Sequence, residues 1–596
     1  ARQELSGLQT EQLHFEQETT IDPTITLRRQ IPSARLLMLW NELQAAVEWQ
    51  PNGLFDRWRE AVRWFLLKRR IRRLFDGFSR HPERQDLQRL IPLLQRSYYQ
   101  VRQEELTAEI DRIEKQLATS DAPAMVARLS DDSMRYLRSR LAARYGKRHK
   151  RPIFQHITPE LLKEYPVVLS TTFSSRSNFR AETLFDYVIM DEASQVSSET
   201  GALALMCARN AVIVGDSMQL PNVITDADRL RMQATGAKHA IDSRYDCAAL
   251  SFLESVCRVF PEAPQTLLRE HYRCHPKIIN FCNQRFYGGR LLIMTEDHGE
   301  PDVITAWRTV LGHHARGAFN PREIETIRRE VLPSLPCEPT EIGIISPYNE
   351  QVNALHRELG GGVDVATVHK FQGREKEAII LSTVDDQITA FTDDPNLLNV
   401  AVSRAKRQFT LVTSSNEQPD SRNIADLLAY IDYNGGKITE SAIHSVFDLL
   451  YEPYAEARRE FLKRHRRISE FDSENLTYAL LERVLEADPA FRHLGVLCHQ
   501  PLRQLIRDWT LLNDEERRYA SNGATHLDFL IYNRVSKRPV LAVETDGYQF
   551  HKQGTRQSER DRMKDRILDR YALPLLRLST TGTDEEAKIQ TLLKRN

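Results

Sequence analysis

Residues 187–195 read YVIMDEASQ, an apolar run that leads directly into two adjacent carboxylates. A short apolar run of this kind predicts a buried strand of an α/β fold, and such folds place their reacting groups where strands end. We therefore expect Asp191 to hold Mg²⁺, usually through water, and Glu192 to orient and deprotonate the water that attacks a phosphoryl group. Alone, a pair of this kind is more often a solvated turn, so the assignment depends on the segments around it.

The next informative segment is GDSMQLP, residues 215–221, which follows a second apolar strand. We expect Gly215 to permit a tight turn before Asp216, and Gln219 to reach a terminal phosphate. The two strand ends together predict a phosphate-binding edge.

Two arginines further along the chain extend this prediction. Arg273 lies in LREHYRCHP (268–276), and Arg404 lies in NVAVSRAK (399–406). A planar guanidinium can neutralise the charge that builds on a transferring phosphoryl group, so both are candidate arginine fingers. Between them lies TVHKFQGRE (367–375), flanked by apolar strands.

In this order the segments resemble the DEAxQ, GDxxQLP, YR, HxFQGxE and VAxSRAK boxes of superfamily 1 helicases, in the group of the nonsense-mediated-decay helicase and the replication helicase-nucleases. The resemblance covers residues 165–415 and implies two RecA-like α/β domains with ATP and Mg²⁺ in the cleft between them. His369 and Lys370 would couple ATP to the nucleic-acid track. The residues that the resemblance places at the nucleotide are Asp191, Glu192, Gly215, Asp216, Gln219, Arg273, Gln372, Gly373, Glu375 and Arg404.

The sequence departs from that family in one respect. The family's GxxGxGK(S/T) phosphate loop is absent from residues 1–596, since Gly146-Lys147 and Gly436-Lys437 lack both the upstream glycines and the following hydroxyl residue. We expect the chain, which begins at Ala1, to be the downstream part of a longer polypeptide and to lack ATPase activity by itself. A degenerate helicase without ATPase activity is the alternative.

Composition sets further limits. A length of 596 residues predicts roughly four domains. Lys+Arg and Asp+Glu both number 82, so any nucleic-acid track must be a local feature of the surface. The sequence has no apolar run of membrane-spanning length and no secretory signal, which predicts a soluble cytoplasmic protein, and we expect it to be bacterial. Seven cysteines without a CxxC pair favour reduced thiols.

The first 150 residues predict a helical stalk inserted in the first RecA-like domain. One apolar helix face is formed by Leu54, Trp58, Val62 and Phe65, and a coiled-coil seam by Leu106, Ile110, Ile113 and Leu117. The basic runs 68–73 and 147–151 are candidate DNA contacts, although solvated helix surface is the commoner role. The predicted domains are the stalk (1–150), the rest of the first RecA-like domain (151–262), the second (263–418), a linker (419–460) and a C-terminal domain (461–596).

In the C-terminal domain, HLDFLIY (526–532) and VLAVETDGY (540–548) predict a β-hairpin. Asp528 and Glu544 would lie on paired strands, with Asp546 on the same face as Glu544 because strand side chains alternate. Clustered acids beside an apolar core need a cation, so the pattern predicts a divalent metal at Asp528 and Glu544.

Residues 470–585 resemble PD-(D/E)XK nucleases, near the very-short-patch-repair endonucleases, on the motif ExDG followed by His551 and a basic helix. The resemblance implies a small α/β nuclease domain that uses Mg²⁺ or Mn²⁺. Asp546 stands where this family usually has a lysine, and Lys564 on the following helix is the candidate replacement. Glu474 is a candidate additional ligand. A catalytically dead nuclease fold kept for DNA binding is the alternative.

These patterns predict an enzyme that couples ATP-driven movement on single-stranded DNA, 5′ to 3′ by the resemblance alone, to metal-dependent DNA cleavage, in antiphage defence or DNA repair. Two alternatives stay open. The first is a catalytically silent module that binds DNA and recruits partners. The second is a motor that runs on RNA, because the helicase group includes RNA translocases.

Overall fold

The computed structural model describes residues 1–19, 25–29, 31–48, 65–76, 88–145, 162–163, 165–177, 183–546 and 556–595. The chain divides into two compact units, Ala1–Gln155 and His156–Asn596. Three sequence predictions fall outside the described residues: the helix face at Leu54, Trp58 and Val62, the basic run 147–151, and His551. Among the helices that are described, none combines the length and the apolar character needed to cross a membrane.

The first unit is mainly helical. Its elements are α1 (Arg2–Glu18), β1 (Thr26–Leu27), α2 (Ser33–Glu48), β2 (Phe75–Asp76), α3 (Leu90–Thr119) and α4 (Ala122–Tyr145), with residues 65–74 also helical. Strands β1 and β2 pair antiparallel. Helix α3 packs against α1 through Leu106, which is buried with Leu8 and Phe15. The predicted coiled-coil seam is only partly buried, because Ile113 and Leu117 are 39% and 59% exposed.

The second unit begins with a small α/β layer. After a short helix at Thr172–Ser175, its elements are β3 (Phe185–Met190), α5 (Ser198–Leu205), β4 (Ala208–Ile213), α6 (Asp226–Lys238) and α7 (Phe252–Val259). Strands β3 and β4 run parallel, so their carboxyl ends meet at one edge. Met190 is buried with Ala193, Ala204 and Phe252 in the core of this layer. Within the described part of the chain, one face of β3 is uncovered, since Ile189 is 71% exposed.

A six-stranded parallel sheet forms the largest core. After β5 (Glu270–His271) and β6 (Leu292–Ile293), its strands are β7 (Ile304–Thr309), β8 (Ile342–Ser346), β9 (Asp364–Thr367), β10 (Lys376–Ser382), β11 (Ala405–Ser414) and β12 (Ile438–Glu440). Their spatial order is β12-β7-β11-β10-β8-β9. The covering helices are α8 (Pro276–Phe286), α9 (Pro321–Thr326), α10 (Asn349–Leu359), α11 (Val368–Phe371), α12 (Pro395–Val402) and α13 (Asn423–Tyr433). The strands are nearly continuous in apolar residues because helices cover both faces of a parallel sheet.

The C-terminal layer is a four-stranded mixed sheet. Its elements are α14 (Ala455–Arg464), α15 (Asp472–Ala487), β13 (Leu494–Pro501), α16 (Asp514–Ser521), β14 (His526–Asn533), β15 (Pro539–Asp546), α17 (Arg556–Arg570), β16 (Leu575–Ser579) and α18 (Glu585–Arg595). The strand order is β13-β14-β15-β16, and only β15 and β16 are parallel.

The predicted linker, 419–460, is wrong. Helix α13 packs into the core of the six-stranded sheet through Ile424, Leu427 and Ile431, and β12 pairs with β7. Beyond β12, Phe447 is fully buried in the core of the C-terminal layer. The neighbouring Asp448 forms a buried ion pair with Arg322 of the preceding layer. This segment therefore packs against both cores.

Candidate functional site

The carboxylates Asp191 and Glu192 lie directly after β3, as the sequence predicts, and both are exposed. Glu192 adopts a left-handed backbone conformation (φ 52°). Its backbone N–H donates to Asp191 Oδ1 at 2.9 Å, and Gln195 Nε2 donates to Glu192 Oε2 at 3.3 Å. The turn thus presents two adjacent carboxylates at the end of a parallel strand.

The loop after β4 is held against that turn. A Cβ added at Gly215 would lie 3.1 Å from the backbone nitrogens of Ala193 and Ser194. The glycine is thus explained by close packing of two backbones, and not by the tight turn that we expected. Asp216 organises the loop by accepting hydrogen bonds from the Met218 backbone N–H at 2.9 Å and from Gln219 Nε2 at 3.2 Å.

Gln372 connects two α/β layers at this edge: the first layer, which contains β3 and β4, and the second layer, which contains the six-stranded sheet. Its Nε2 lies 3.4 Å from Glu192 Oε2 and 3.4 Å from Gln219 Oε1. The following residue, Gly373, has a left-handed backbone (φ 77°) that other residues rarely adopt. Residues from three separate sequence boxes are therefore brought together.

The two candidate arginine fingers have different surroundings. Arg273 Nε forms an ion pair with Glu375 Oε2 at 2.6 Å, and Lys406 binds the other oxygen of Glu375 at 2.8 Å. Arg404 is 5% exposed, and its Nε donates to the carbonyl of Val400 at 3.2 Å. Burial, and next the charge of Arg273, lower the pKa of Arg404. A buried guanidinium whose hydrogen bonds go to neutral acceptors can gain from an anion.

His271 lies beside both fingers. Its Nε2 accepts the backbone N–H of Cys274 at 2.9 Å, which requires an unprotonated nitrogen. Burial, followed by the charges of Arg273 and Arg404, lowers the pKa of His271 to about 4. The ring is therefore neutral at neutral pH. His369 and Lys370, predicted to couple ATP to a nucleic-acid track, are exposed on α11.

Two residues that sequence reasoning missed lie in the same cleft. Tyr287, which follows α8, donates its O–H to Asp216 Oδ2 at 2.6 Å. Asn399 on α12 donates to Tyr287 Oη at 2.8 Å. Asn399 opens the NVAVSRAK segment and Tyr287 precedes two glycines, but no sequence pattern indicated that their side chains reach Asp216; the packing of the two layers shows it.

In the C-terminal layer, Asp528 and Glu544 lie on the paired strands β14 and β15, as predicted. Asp528 Oδ2 accepts the backbone N–H of Thr545 at 2.9 Å. Glu544 is 4% exposed, and burial raises its pKa. Lys564 Nζ lies 2.5 Å from Glu544 Oε1 and Arg577 Nη1 lies 3.1 Å from Oε2. Two cations of the chain therefore already neutralise the acid for which we expected a metal.

Several carboxylates surround Arg577. It also contacts Asp546 at 3.6 Å and Asp565 at 2.7 Å. Burial opposes the charged form of Arg577, but the hydrogen bond with Asp565 and the charges of Glu544 and Asp546 together raise its pKa. Asp546 thus faces an arginine from the neighbouring strand β16, a residue to which we had assigned no role.

The candidate ligand Glu474 lies on α15, near these strands. Its Oε2 is buried without a hydrogen-bond partner, and His499 Nε2 is 3.7 Å away, too far for a hydrogen bond. Within the described residues, the acids of the C-terminal layer do not form a group of three ligand atoms close enough to share one ion. In this arrangement, one ion could be held by at most two of these acids.

One group of three potential ligands does occur in the described part of the chain, at His275, Asp297 and Glu300. His275 Nδ1 accepts the backbone N–H of Lys277 at 3.2 Å, so the neutral ring carries its proton on Nε2. That proton faces Glu300 Oε2 at 3.3 Å. The geometry is that of a hydrogen-bonded loop.

Comparison with known families assigns three segments. Two models described as AAA domain match residues 70–227 and 248–416, and a model described as a protein of unknown function (DUF2726) matches residues 471–595. The first match begins inside the segment that we predicted to be a stalk.

Several curated relatives are helicases. An uncharacterized ATP-dependent helicase of Methanocaldococcus jannaschii is 27% identical over 292 residues, which are 44% of this chain and 41% of that protein. The DNA replication ATP-dependent helicase/nuclease DNA2 of Gallus gallus is 28% identical over 272 residues, 42% of this chain and 25% of that protein. The 5′-3′ DNA helicase ZGRF1 of Mus musculus is 28% identical over 277 residues, 43% of this chain and 14% of that protein. The matches thus span less than half of each relative.

A solved structure, the arterivirus nonstructural protein 10 helicase with DNA, is 15% identical and covers 42% of this chain and 43% of its own, with a TM-score of 0.23. That score is too low to support an argument, so the fold rests on the strand order and register described above. The two AAA domain matches and the helicase relatives show that the α/β part of this chain is similar to ATP-dependent helicases.

Proposed function

We propose that this chain forms the ATP-hydrolysing cleft of a DNA helicase and carries a metal-dependent DNA endonuclease domain at its C-terminal end. The observation that carries the helicase part is the contact of Gln372 with Glu192 and Gln219, which joins the two layers at the end of β3. The buried Arg404 guanidinium beside this contact supplies positive charge where a phosphate would lie.

In this proposal each cleft residue has one task. Asp191 would hold Mg²⁺, which would neutralise charge on the phosphates, and Glu192 would take the proton of the attacking water. Gln219 contacts the terminal phosphate. Arg273 must exchange its ion pair with Glu375 for a phosphate oxygen, whereas Arg404 needs no such exchange because its partners are neutral.

The β- and γ-phosphates also need a phosphate loop, which residues 1–596 do not contain. We propose that this loop is supplied from outside these residues. The exposure of Tyr187 (62%) and Ile189 (71%) on β3 supports the proposal, because a strand of this composition is normally covered on both faces. Assays of ATP turnover therefore need a longer protein that includes a phosphate loop, which we call the loop-containing protein.

The test of the ATPase is Glu192→Gln, measured with and without single-stranded DNA. We expect turnover to fall by about a hundredfold or more while nucleotide affinity stays within about threefold, since the phosphate contacts remain. Glu199→Gln, an exposed carboxylate on α5, is the control and should change neither quantity. Unchanged turnover in Glu192→Gln would refute the assignment.

The endonuclease proposal rests on Asp528 and Glu544, which lie opposite each other on the paired strands β14 and β15. These acids would hold Mg²⁺ or Mn²⁺, which activates the hydrolytic water. Lys564 reaches Glu544 from α17 and so replaces the lysine expected at Asp546. When DNA binds, its phosphate would draw Lys564 away from Glu544, which opens a carboxylate oxygen to the metal.

The cleavage test uses Glu544→Gln with Mn²⁺ and labelled single-stranded DNA, duplex DNA and RNA. We expect DNA cleavage by the wild type and none by the variant, with ATP turnover unaffected in the loop-containing protein. Asp569→Asn, an exposed acid on the same helix as Lys564, should cleave normally. Cleavage that persists in Glu544→Gln would locate the activity elsewhere.

A second candidate function is favoured by the ion pairs at Glu544. Because Lys564 and Arg577 already satisfy this acid, the C-terminal layer could be a catalytically silent domain that binds DNA. Absence of cleavage with every metal, combined with DNA binding by the wild type, would favour this reading. Stimulation of ATP turnover by RNA instead of single-stranded DNA, measured in the ATPase assay, would identify an RNA motor.

A further inference from the structure

A hydrogen-bonded chain crosses the cleft between the two α/β layers. Tyr287, which is half-buried after α8, donates its O–H to Asp216 Oδ2 at 2.6 Å. Asn399 on α12 places its Nδ2 2.8 Å from Tyr287 Oη and 2.7 Å from the carbonyl oxygen of Met218. Tyr287 and Asn399 lie in the second layer, whereas Asp216 and Met218 lie in the first.

The donor of each hydrogen bond in this chain follows from the chemistry of the groups that it joins. A backbone carbonyl can only accept, so the Asn399 atom beside Met218 must be the amide nitrogen. Its second N–H is then directed at Tyr287 Oη. Because the tyrosine oxygen accepts there, its own proton is directed at the carboxylate of Asp216. Burial, and next the charge of Asp216, raise the pKa of Tyr287, so the phenol keeps this proton.

Asp216 in turn fixes Gln219. The same oxygen that accepts from Tyr287 also accepts from Gln219 Nε2 at 3.2 Å, and the other oxygen accepts the Met218 N–H at 2.9 Å. Gln219 Oε1 faces Gln372 Nε2 at 3.4 Å. Both ends of the Gln219 amide are therefore oriented through groups of the second layer.

We propose that Tyr287 is a positioning residue that acts through Asp216 to aim the amide of Gln219 at the terminal phosphate when the cleft closes. The inference rests on the proposed ATPase function. A half-buried tyrosine can simply satisfy its hydroxyl, as Tyr430 does by donating to the carbonyl of Lys277 within its own layer. Tyr287 differs because it donates to the carboxylate of Asp216, which orders the loop that carries Gln219 in the opposite layer.

The first test is hydrogen–deuterium exchange of the segment 215–221 in Tyr287→Phe, which removes only the hydroxyl. We expect exchange in this segment to become at least about fivefold faster, since Asp216 loses its cross-cleft donor. Tyr430→Phe is the matched control and should leave the segment unchanged. Unchanged exchange in Tyr287→Phe would overturn the inference, whatever the ATPase result.

The second test is steady-state ATP hydrolysis by the loop-containing protein. Tyr287→Phe should lower kcat about tenfold with little change in KM, because a misaligned amide affects the transition state more than binding. The double variant Tyr287→Phe/Gln219→Ala should be no slower than Gln219→Ala alone. Additive losses would show a role independent of Gln219 and overturn the proposal. A wild type with no ATP turnover, but with faster exchange in Tyr287→Phe, would instead refute the proposed function.

Discussion

The substitution Asp448→Ala tests whether the segment after β12 holds the layer of the six-stranded sheet and the C-terminal layer together. Arg322 is 2% exposed, and its Nη1 and Nη2 contact the two carboxylate oxygens of Asp448 at 3.0 and 2.8 Å. Loss of one partner of a buried ion pair costs about 3–5 kcal/mol because the remaining charge stays buried. Arg322 Nη1 keeps the carbonyl of Ile443 at 2.9 Å. Asp448 also accepts the backbone N–H of Ser445 at 2.7 Å, a hydrogen bond that the variant loses as well, so we expect a loss within that range, about 3–5 kcal/mol.

The assay is urea unfolding followed both by circular dichroism and by the fluorescence of Trp509, with the other tryptophans replaced. Because Phe447 lies in the C-terminal core and Asp448 binds the other layer, the variant should also separate two unfolding transitions that coincide in the wild type. The exposed pair Lys463–Glu460 provides the control, and Glu460→Ala should cost less than about 1 kcal/mol. A loss below about 1 kcal/mol in Asp448→Ala would refute the argument.

Three further changes follow from the site geometry. Arg404→Lys should lower ATP turnover of the loop-containing protein by about a hundredfold, because a point charge lacks the planar fork; near-normal turnover would make Arg404 structural. The folded-state pKa of His271 is lowered from 6.5 to about 4, so its contribution to stability is present above pH 6.5 and is lost as the pH falls to 4. Unfolding measured between pH 7 and 4 should therefore show a steeper loss in the wild type than in His271→Gln, and parallel curves would contradict the assignment. Lys564→Met would remove a competitor of the proposed metal at Glu544, so Mn²⁺ affinity measured by calorimetry should rise severalfold; an unchanged affinity would contradict a metal site at Glu544.

The sequence was sufficient to predict where single strands end, but not that residues 419–460 between two domains are packed structure. Asp191 and Glu192 follow an apolar run, so their place at the end of β3 was predictable from local pattern. The segment 419–460, predicted to be a linker, contains Gly435-Gly436, yet a Cβ at Gly436 would lie 2.3 Å from the carbonyl oxygen of Ile304. This glycine marks close packing of β12 beside β7. Local composition does not distinguish a flexible glycine from one that a neighbouring strand requires.

The helical seam of the first unit shows a related limit. A periodic pattern identifies an apolar face but not the length of the partner that covers it. Arg2, in the first turn of α1, pairs with Glu114 on α3. Leu106 therefore lies beneath α1 and is buried, whereas Leu117 lies beyond its first turn and is exposed. The periodicity alone predicted the same burial for both leucines.

The acids of the C-terminal layer show why residue type and spacing could not decide the chemistry. Alternation along two strands was sufficient to place Asp528 opposite Glu544, because register follows from the hairpin. The partner of Glu544 depended on a longer connection, in which α17 brings Lys564 back over the sheet and β16 places Arg577 beside β15. A carboxylate that is 4% exposed needs a cation, but it does not specify whether the cation is a metal or a side chain. Only the tertiary structure reveals the two internal cations, Lys564 and Arg577, with which the proposed metal would have to compete for Glu544.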